Sequence, residues 1–307
     1  MGGSGGGYYT PPSPDELKEM IHESGDEADK KAFATELTSF FRDLLKELNG
    51  RDTKETSKRL EDLLGIIEQK IEGTLETLFG GSVSKHTYAD GISDIDSLVI
   101  TNDSELVKKS PEEVLSYLER EFRKNDLDAT KGRLAVTVNY DDGMEIQLLP
   151  AIRSRDKVLI PNPKGEGWSK INPESFANAL TKVNKDCGNL VVPTIKLAKT
   201  INSQFPEKLK LSGYHLESLA IKAFKGYSGE KTMPEMLKHF FKESSNNVKN
   251  PIQDKTGQSL YVDEYMGEKG GGLRQQISHL LSRTYKKMNN FISTSSLHGW
   301  KGLFDEE

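Results

Sequence analysis

Hydrophobic positions change their spacing along the chain, and each change marks a different kind of element. From about Ser13 to Leu78 the apolar residues recur at helical intervals. Ser13-Pro14-Asp15-Glu16 predicts a helix start, with serine as cap and proline at the first helical position. FATELTSFFRDLLKELNG carries an apolar stripe that Asn49-Gly50 ends. TSKRLEDLLGIIEQKIEGTLETLF reads as a second amphipathic helix leading straight into Gly80-Gly81-Ser82. The period then shortens. DSLVI is apolar and β-branched and predicts a strand, SPEEVLSYLEREFRKN a serine-capped helix, and GRLAVTVNY with MEIQLLPAI a hairpin turning at Asp142-Gly143. Pro150 is expected to stop the second hairpin strand, and Asp141 and Asp142 read as turn residues. From about Pro173 helical spacing returns. PESFANALTKVNKDCGNLVVPTIKLAKTINSQF, SGYHLESLAIKAFKGY, TMPEMLKHFFKESSN and LRQQISHLLSRTYKKMNNFIS are four such segments, with the polar loop NPIQDKTGQSLYVDEYMGEKGGG before the last. The expected class is α+β, a small mixed sheet followed by a helical lobe. The expected division is a flexible Gly/Ser-rich lead over 1–12, a core with its N-terminal helices over 13–172, and a helical lobe over 173–307.

Composition narrows the function classes. The chain has 307 residues, 35% hydrophobic and 29% charged, which suits a globular protein with a real core. No apolar run approaches the length of a membrane span, and MGGSGGGYYTPPSPDE lacks the layout of a signal peptide. A single cysteine, Cys187, leaves no internal disulfide and no cysteine-rich zinc module, and a cytoplasmic setting is expected. Forty-two basic against 47 acidic residues give a formal charge of −5, without the basic stripe of a protein that grips long nucleic acid.

The segment FGGSVSKHTYADGISDIDSLVI, Phe79 to Ile100, concentrates the candidate chemistry. Asp94 and Asp96 are two apart, so in a strand they share a face. Adjacent carboxylates on a buried strand repel and lose hydration unless a cation neutralises them. Magnesium suits them, since it takes hard oxygen ligands and shares itself with substrate phosphates. Two such ions about 3.5–4 Å apart can activate a hydroxyl and stabilise a leaving pyrophosphate. Gly80, Gly81 and Ser82 offer backbone N–H groups unobstructed by Cβ atoms, and the hydroxyls of Ser82 and Ser84 add to a phosphate cradle. The Lys-Ser ending of a Walker A loop is missing.

GGSVSKHTYADGISDID resembles the Gly-Ser … Asp-x-Asp signature of DNA polymerase β-like nucleotidyltransferases. Within them it is most similar to the bacterial CD-NTases, the oligonucleotide cyclases of CBASS anti-phage systems, related to cyclic GMP-AMP synthase and oligoadenylate synthase. The resemblance covers roughly Gly80 to Tyr227 and implies a nucleotidyltransferase core, a helical lobe and an active site in the cleft between them. It implies NTP substrates, ATP among them, two Mg²⁺ ions with Mn²⁺ as a substitute, and a cyclic di- or trinucleotide product that reaches a downstream effector. It also allows a CBASS accessory protein as partner. LVVPTIKLAKTIN followed by SGYHLESLAIKAF resembles the family's helical-lobe pattern. That match implies Lys196 or Lys199 facing the triphosphate, Ser212 and Tyr214 near base or phosphates, and Asp254 in a loop lining the nucleotide pocket. His215 reads as a satisfied structural histidine.

The pattern departs in one place. The family's third metal ligand is an acid on a later strand, three residues before a proline, and MEIQLLPA puts Gln147 there. Glutamine brings no charge. Glu145 shares its strand face and is expected to serve as the third carboxylate beside Asp94 and Asp96. The rival is a site with two acids and reduced, conditional or no activity. A nucleotidyltransferase acting on tRNA or protein, or a non-catalytic nucleotide sensor, therefore stays open.

Overall fold

The computed structural model describes residues 14–49, 53–68, 75–79, 95–101, 105–154, 157–162, 167–171, 173–253 and 262–304; at some of these, Asp96 among them, the description is of the backbone. A long helix α1 (Pro14–Glu47) is followed by α2 (Thr53–Glu68). Next come strands β1 (Leu75–Phe79) and β2 (Ile95–Thr101), helix α3 (Pro111–Arg123), and strands β3 (Asp128–Lys131), β4 (Val136–Asn139), β5 (Glu145–Ser154), β6 (Lys157–Pro161) and β7 (Trp168–Ile171). The remaining helices are α4 (Pro173–Asp186), α5 (Val191–Ser203), α6 (Gly213–Ala223), α7 (Met233–Asn247), α8 (Gly272–Ser293) and the short α9 (Leu297–Lys301).

The sheet is mixed, as expected. Its main path runs β1-β2-β5-β4-β3, with β6 pairing β5 and β7 pairing β6. β2 and β5 are parallel; the other pairs are antiparallel. α3 seals one face. Its serine start is a full capping box, in which Ser110 accepts the Glu113 N–H and the Glu113 carboxylate accepts the Ser110 N–H. Val114, Leu115, Leu118 and Phe122 then pack with Leu60 and Leu63 of α2 against Ile146 and Leu148 of β5.

Three sequence expectations are corrected. The second helix ends at Glu68, and Leu75–Phe79 pairs antiparallel with β2 instead of continuing it. Apolar spacing over five residues fits a strand as well as a helix, and the open edge of β2 decides between them. Pro150 does not stop β5, which continues to Ser154. On one side β4 pairs β5 only as far as Leu148, and β6 pairs it only from Ile152, so Pro150 falls in the gap where a missing N–H loses no bond to either. The segment from Pro173 to Phe205 is two helices, because Gly188 (φ 69°) and Asn189 (φ 64°) turn left-handed between Asp186 and Val191. Strands β3, β6 and β7 carry no strong period and have no counterpart in the sequence reading.

The second core is helical, built from α4 to α9 around Ile195, Leu219, Phe240 and Leu281. α1 joins it: Leu37 and Phe41 are buried there, and Phe41 meets Trp300 edge-on at 5.4 Å. The first helix of the chain thus packs on the last.

Candidate active site

The parallel register sets the sheet side of the site. Ile95 pairs with Ile146 and Thr101 with Ile152, so the backbone of Asp96 lies beside Gln147. Gln147 in turn lies opposite Thr137 of β4. Glu145, two residues earlier on β5, shares the strand face of Gln147 and pairs across the ladder with Asn139. Glu145 is exposed and Gln147 half-buried, whereas Ile146 and Leu148 on the opposite face are fully enclosed. β5 therefore presents an acid and an amide on one face while the other is locked into the core.

The start of that strand is pinned. Oδ1 of Asp142 accepts the Met144 N–H at 3.1 Å, and Arg59 of α2 grips the Asp142 carboxylate at 2.9 Å. The Arg59 guanidinium also lies 4.3 Å over the Tyr140 ring. Hydrogen bonding to Arg59 holds the Asp142 carboxyl below its usual range. Gly143 takes φ 81° to close the turn. Asp142 is a turn residue, as its sequence context suggested.

On the helical side, Lys199 of α5 is buried with its Nζ 3.1 Å from Glu217 Oε1 of α6, and the same Nζ packs against Gly213. Ser212 caps α6, its hydroxyl accepting the His215 N–H. Tyr214 packs its ring on Phe176, 4.7 Å between centroids. Lys196, one turn before Lys199, donates to Asn49 Oδ1 at the end of α1. Burial, and the neighbouring Lys199, lower the Lys196 pKa. Lys196 lines a cavity of about 630 Å³ whose walls come from α1, α4, α5 and the α4–α5 turn; none of its lining residues lies on the sheet. The structure thus brings Lys199, Glu217, Ser212 and Tyr214 together around the start of α6, and Asp96, Gln147 and Glu145 onto two adjacent strands. Gly81, Ser82, Ser84, Asp94 and Asp254 lie outside the described residues.

His215 is buried, as expected, yet incompletely satisfied. Its Nδ1 bonds the Tyr265 hydroxyl at 3.0 Å, while Nε2 finds no hydrogen-bond partner among the described residues and lies 3.7 Å from Asp263 Oδ2. Burial pushes its pKa down to about 4, opposed by Asp263 and assisted by Arg274. Asp263 is held by Arg274 at 2.6 Å, with neither side chain exposed. Sequence reasoning missed Asp263, Tyr265 and Arg274. They lie at the end of a polar loop and in a helix, without a shared period to link them.

Among the described residues, no three His, Cys, Asp or Glu side chains converge as a metal site. The donors that are described fit a hard cation in kind: Glu145 offers a carboxylate and Gln147 an amide oxygen, on the strand beside the Asp96 backbone.

A protein-family model, Second Messenger Oligonucleotide or Dinucleotide Synthetase domain (SMODS), matches residues 34–184, a span from within α1 to the end of α4 that includes the whole sheet. Over that span the chain matches this family, that of the bacterial CD-NTases. It is a nucleotidyltransferase, and the matched family indicates synthesis of cyclic oligonucleotides from NTPs. Three solved structures share its fold. CdnC of E. coli, solved with ATP, aligns at a TM-score of 0.65 and 15% identity over 82% of this chain and 91% of that one. The CD-NTase CdnG of Bradyrhizobium diazoefficiens, in complex with GTP, gives 0.64 and 15% over 82% and 89%. The cyclic AMP-GMP synthase DncV of Vibrio cholerae, with nonhydrolyzable GTP, gives 0.61 and 11% over 95% and 90%. No curated protein matches the sequence. Among the described residues, no helix is long and apolar enough to cross a membrane.

Proposed function

We propose that the chain condenses NTPs, ATP among them, into a cyclic di- or trinucleotide that serves as a second messenger in cytoplasmic CBASS anti-phage defence. The observation that supports this most is the pairing of Asp96 with Gln147 within the SMODS match, which aligns the Asp-x-Asp strand with the strand carrying Glu145. In this reading the chain divides near residue 172, and the nucleotides lie between the sheet and the start of α6.

Asp94, Asp96 and Glu145 would hold Mg²⁺ or Mn²⁺, with Gln147 beside them as a neutral oxygen donor. Two bound ions would supply charge neutralisation and a lowered pKa for the attacking ribose hydroxyl. The remaining work falls to the chain. Gly81, Ser82 and Ser84 cradle the phosphates with backbone N–H groups and hydroxyls. Lys196 or Lys199 draws the triphosphate toward the helical half. Ser212, Tyr214 and Asp254 orient the nucleotide. Rate then comes mainly from positioning and from preorganised charge around the α-phosphate. The amide at Gln147 favours one second reading, a nucleotide sensor without turnover, because it removes a negative charge where the family carries one.

Purified protein incubated with labelled NTPs and Mg²⁺ or Mn²⁺, then treated with phosphatase, separates the readings. Phosphatase-resistant product is expected, and Glu145→Gln should reduce it at least about tenfold. Label retained on RNA or protein would redirect the assignment to macromolecule transfer, and bound nucleotide without product to a sensor. The product would act on a downstream effector. E. coli CdnC has been solved in complex with a HORMA protein, and an accessory protein is proposed for this chain by that analogy.

A further inference from the structure

The loop that returns to the start of α6 carries a hydrogen-bonded chain that ends on His215. Arg274, fully buried in α8, is its root. Its guanidinium donates to Asp263 Oδ2 at 2.6 Å, to the carbonyls of Val248 and Asp263 at 3.0 and 3.1 Å, and to that of Gly267 at 3.1 Å. Asp263 Oδ1 accepts the Ile252 N–H at 3.0 Å, and Val262 N–H donates to Ile252 O at 2.9 Å. Ile252 and Asp263 are therefore joined at one buried ion pair. Two residues beyond Asp263, the Tyr265 hydroxyl and His215 Nδ1 share a hydrogen bond of 3.0 Å in the first turn of α6.

We propose that Tyr265 is a positioning residue for nucleotide binding: its hydroxyl, bonded to His215 Nδ1, fixes the first turn of α6 and with it Ser212, whose hydroxyl accepts the His215 N–H, and Tyr214. Nothing else about the geometry requires a tyrosine here. The Tyr265 residue is 54% exposed, so its ring contributes little to the core, while its hydroxyl reaches inward to a helix end. A helix start leaves N–H groups without intrahelical partners. The Ser212 side chain serves the His215 N–H and the Tyr265 hydroxyl holds the His215 ring, so the turn is fixed before a ligand arrives. Preorganisation of this kind lowers the ordering cost of binding.

This inference rests on the reading of Ser212 and Tyr214 as nucleotide contacts. Its test is calorimetric titration of the full chain with ATP and, separately, GTP in Mg²⁺, alongside the product assay and thermal melts. Tyr265→Phe keeps the ring and should weaken binding of at least one of the two about tenfold, with the melting temperature unchanged. His215→Phe removes the partner, and the Tyr265→Phe/His215→Phe double variant should bind no more weakly than the weaker single variant. His215→Gln restores a hydrogen-bonding group and should recover most of the affinity. Unchanged affinity in Tyr265→Phe, with or without a lower melting temperature, would overturn the proposal and leave the proposed function standing. A wild-type chain that binds neither nucleotide and forms no product would sink both.

Discussion

On β5 the side chains with chemistry to offer stand on the open face of a strand whose other face is sealed; on α5 and α6 the corresponding groups are enclosed. Glu145 is exposed and Gln147 half-buried, whereas the side chains of Lys199 and Glu217 are 5% and 2% exposed and satisfy each other. The ladder positions the first pair without touching their charge, since backbone pairing to β2 and β4 fixes the strand from both sides. The second pair is positioned by its own charges. An exposed carboxylate can be neutralised by whatever arrives; a buried one must have its partner built in. Under the proposed function, the sheet half would hold a transient cation and phosphate, and the helical half a fixed shape around the nucleotide.

Substitutions that remove charge should affect the two halves differently. Arg274→Ala leaves Asp263 buried without its cation and should cost about 3–5 kcal/mol of stability in urea unfolding. Glu145→Gln should change stability by less than about 0.5 kcal/mol, because it alters an exposed side chain. Equal losses from both would erase the contrast.

Acid should act on the helical half through His215, which faces Asp263, Arg274 and Tyr265. Its folded pKa of about 4 lies below the ordinary 6.5, so the unfolded chain takes up the proton first. Stability from this group is complete above about pH 6.5 and is lost as pH falls from there through 4, by about 3 kcal/mol at most. Melting curves of wild type and His215→Gln between pH 7 and 4 should converge toward acid. Parallel curves would show that His215 does not titrate as the structure implies. Ser110→Ala, which opens the capping box of α3, should cost about 1 kcal/mol with no change in product formed per folded molecule.

The strand that carries Asp96 was legible because DSLVI is short, apolar and β-branched. The hairpin was legible too, since Asp142-Gly143 supplies both a side-chain acceptor and a positive φ. What escaped was decided by neighbours. Leu75–Phe79 becomes a strand because β2 has an edge to fill, and Pro150 stays within β5 because its two antiparallel neighbours leave a gap there. Lys199 was legible as a lysine on a helix that matched the family pattern, but its burial against Glu217 depends on how α5 crosses α6. The Asp263–Arg274 pair joins a loop to a helix through no repeat at all, so tertiary packing alone reveals it.

If the strand pairing of Asp96 with Gln147 serves to bring acids to a triphosphate, removing one charge there must stop the chemistry and spare the fold. The direct measurement is cyclic product formed by Asp96→Asn from labelled NTPs in Mg²⁺, with a melting curve of the same sample. The expected result is no phosphatase-resistant product from a protein that melts within about 2 °C of wild type. Product at the wild-type level from the folded variant would contradict it.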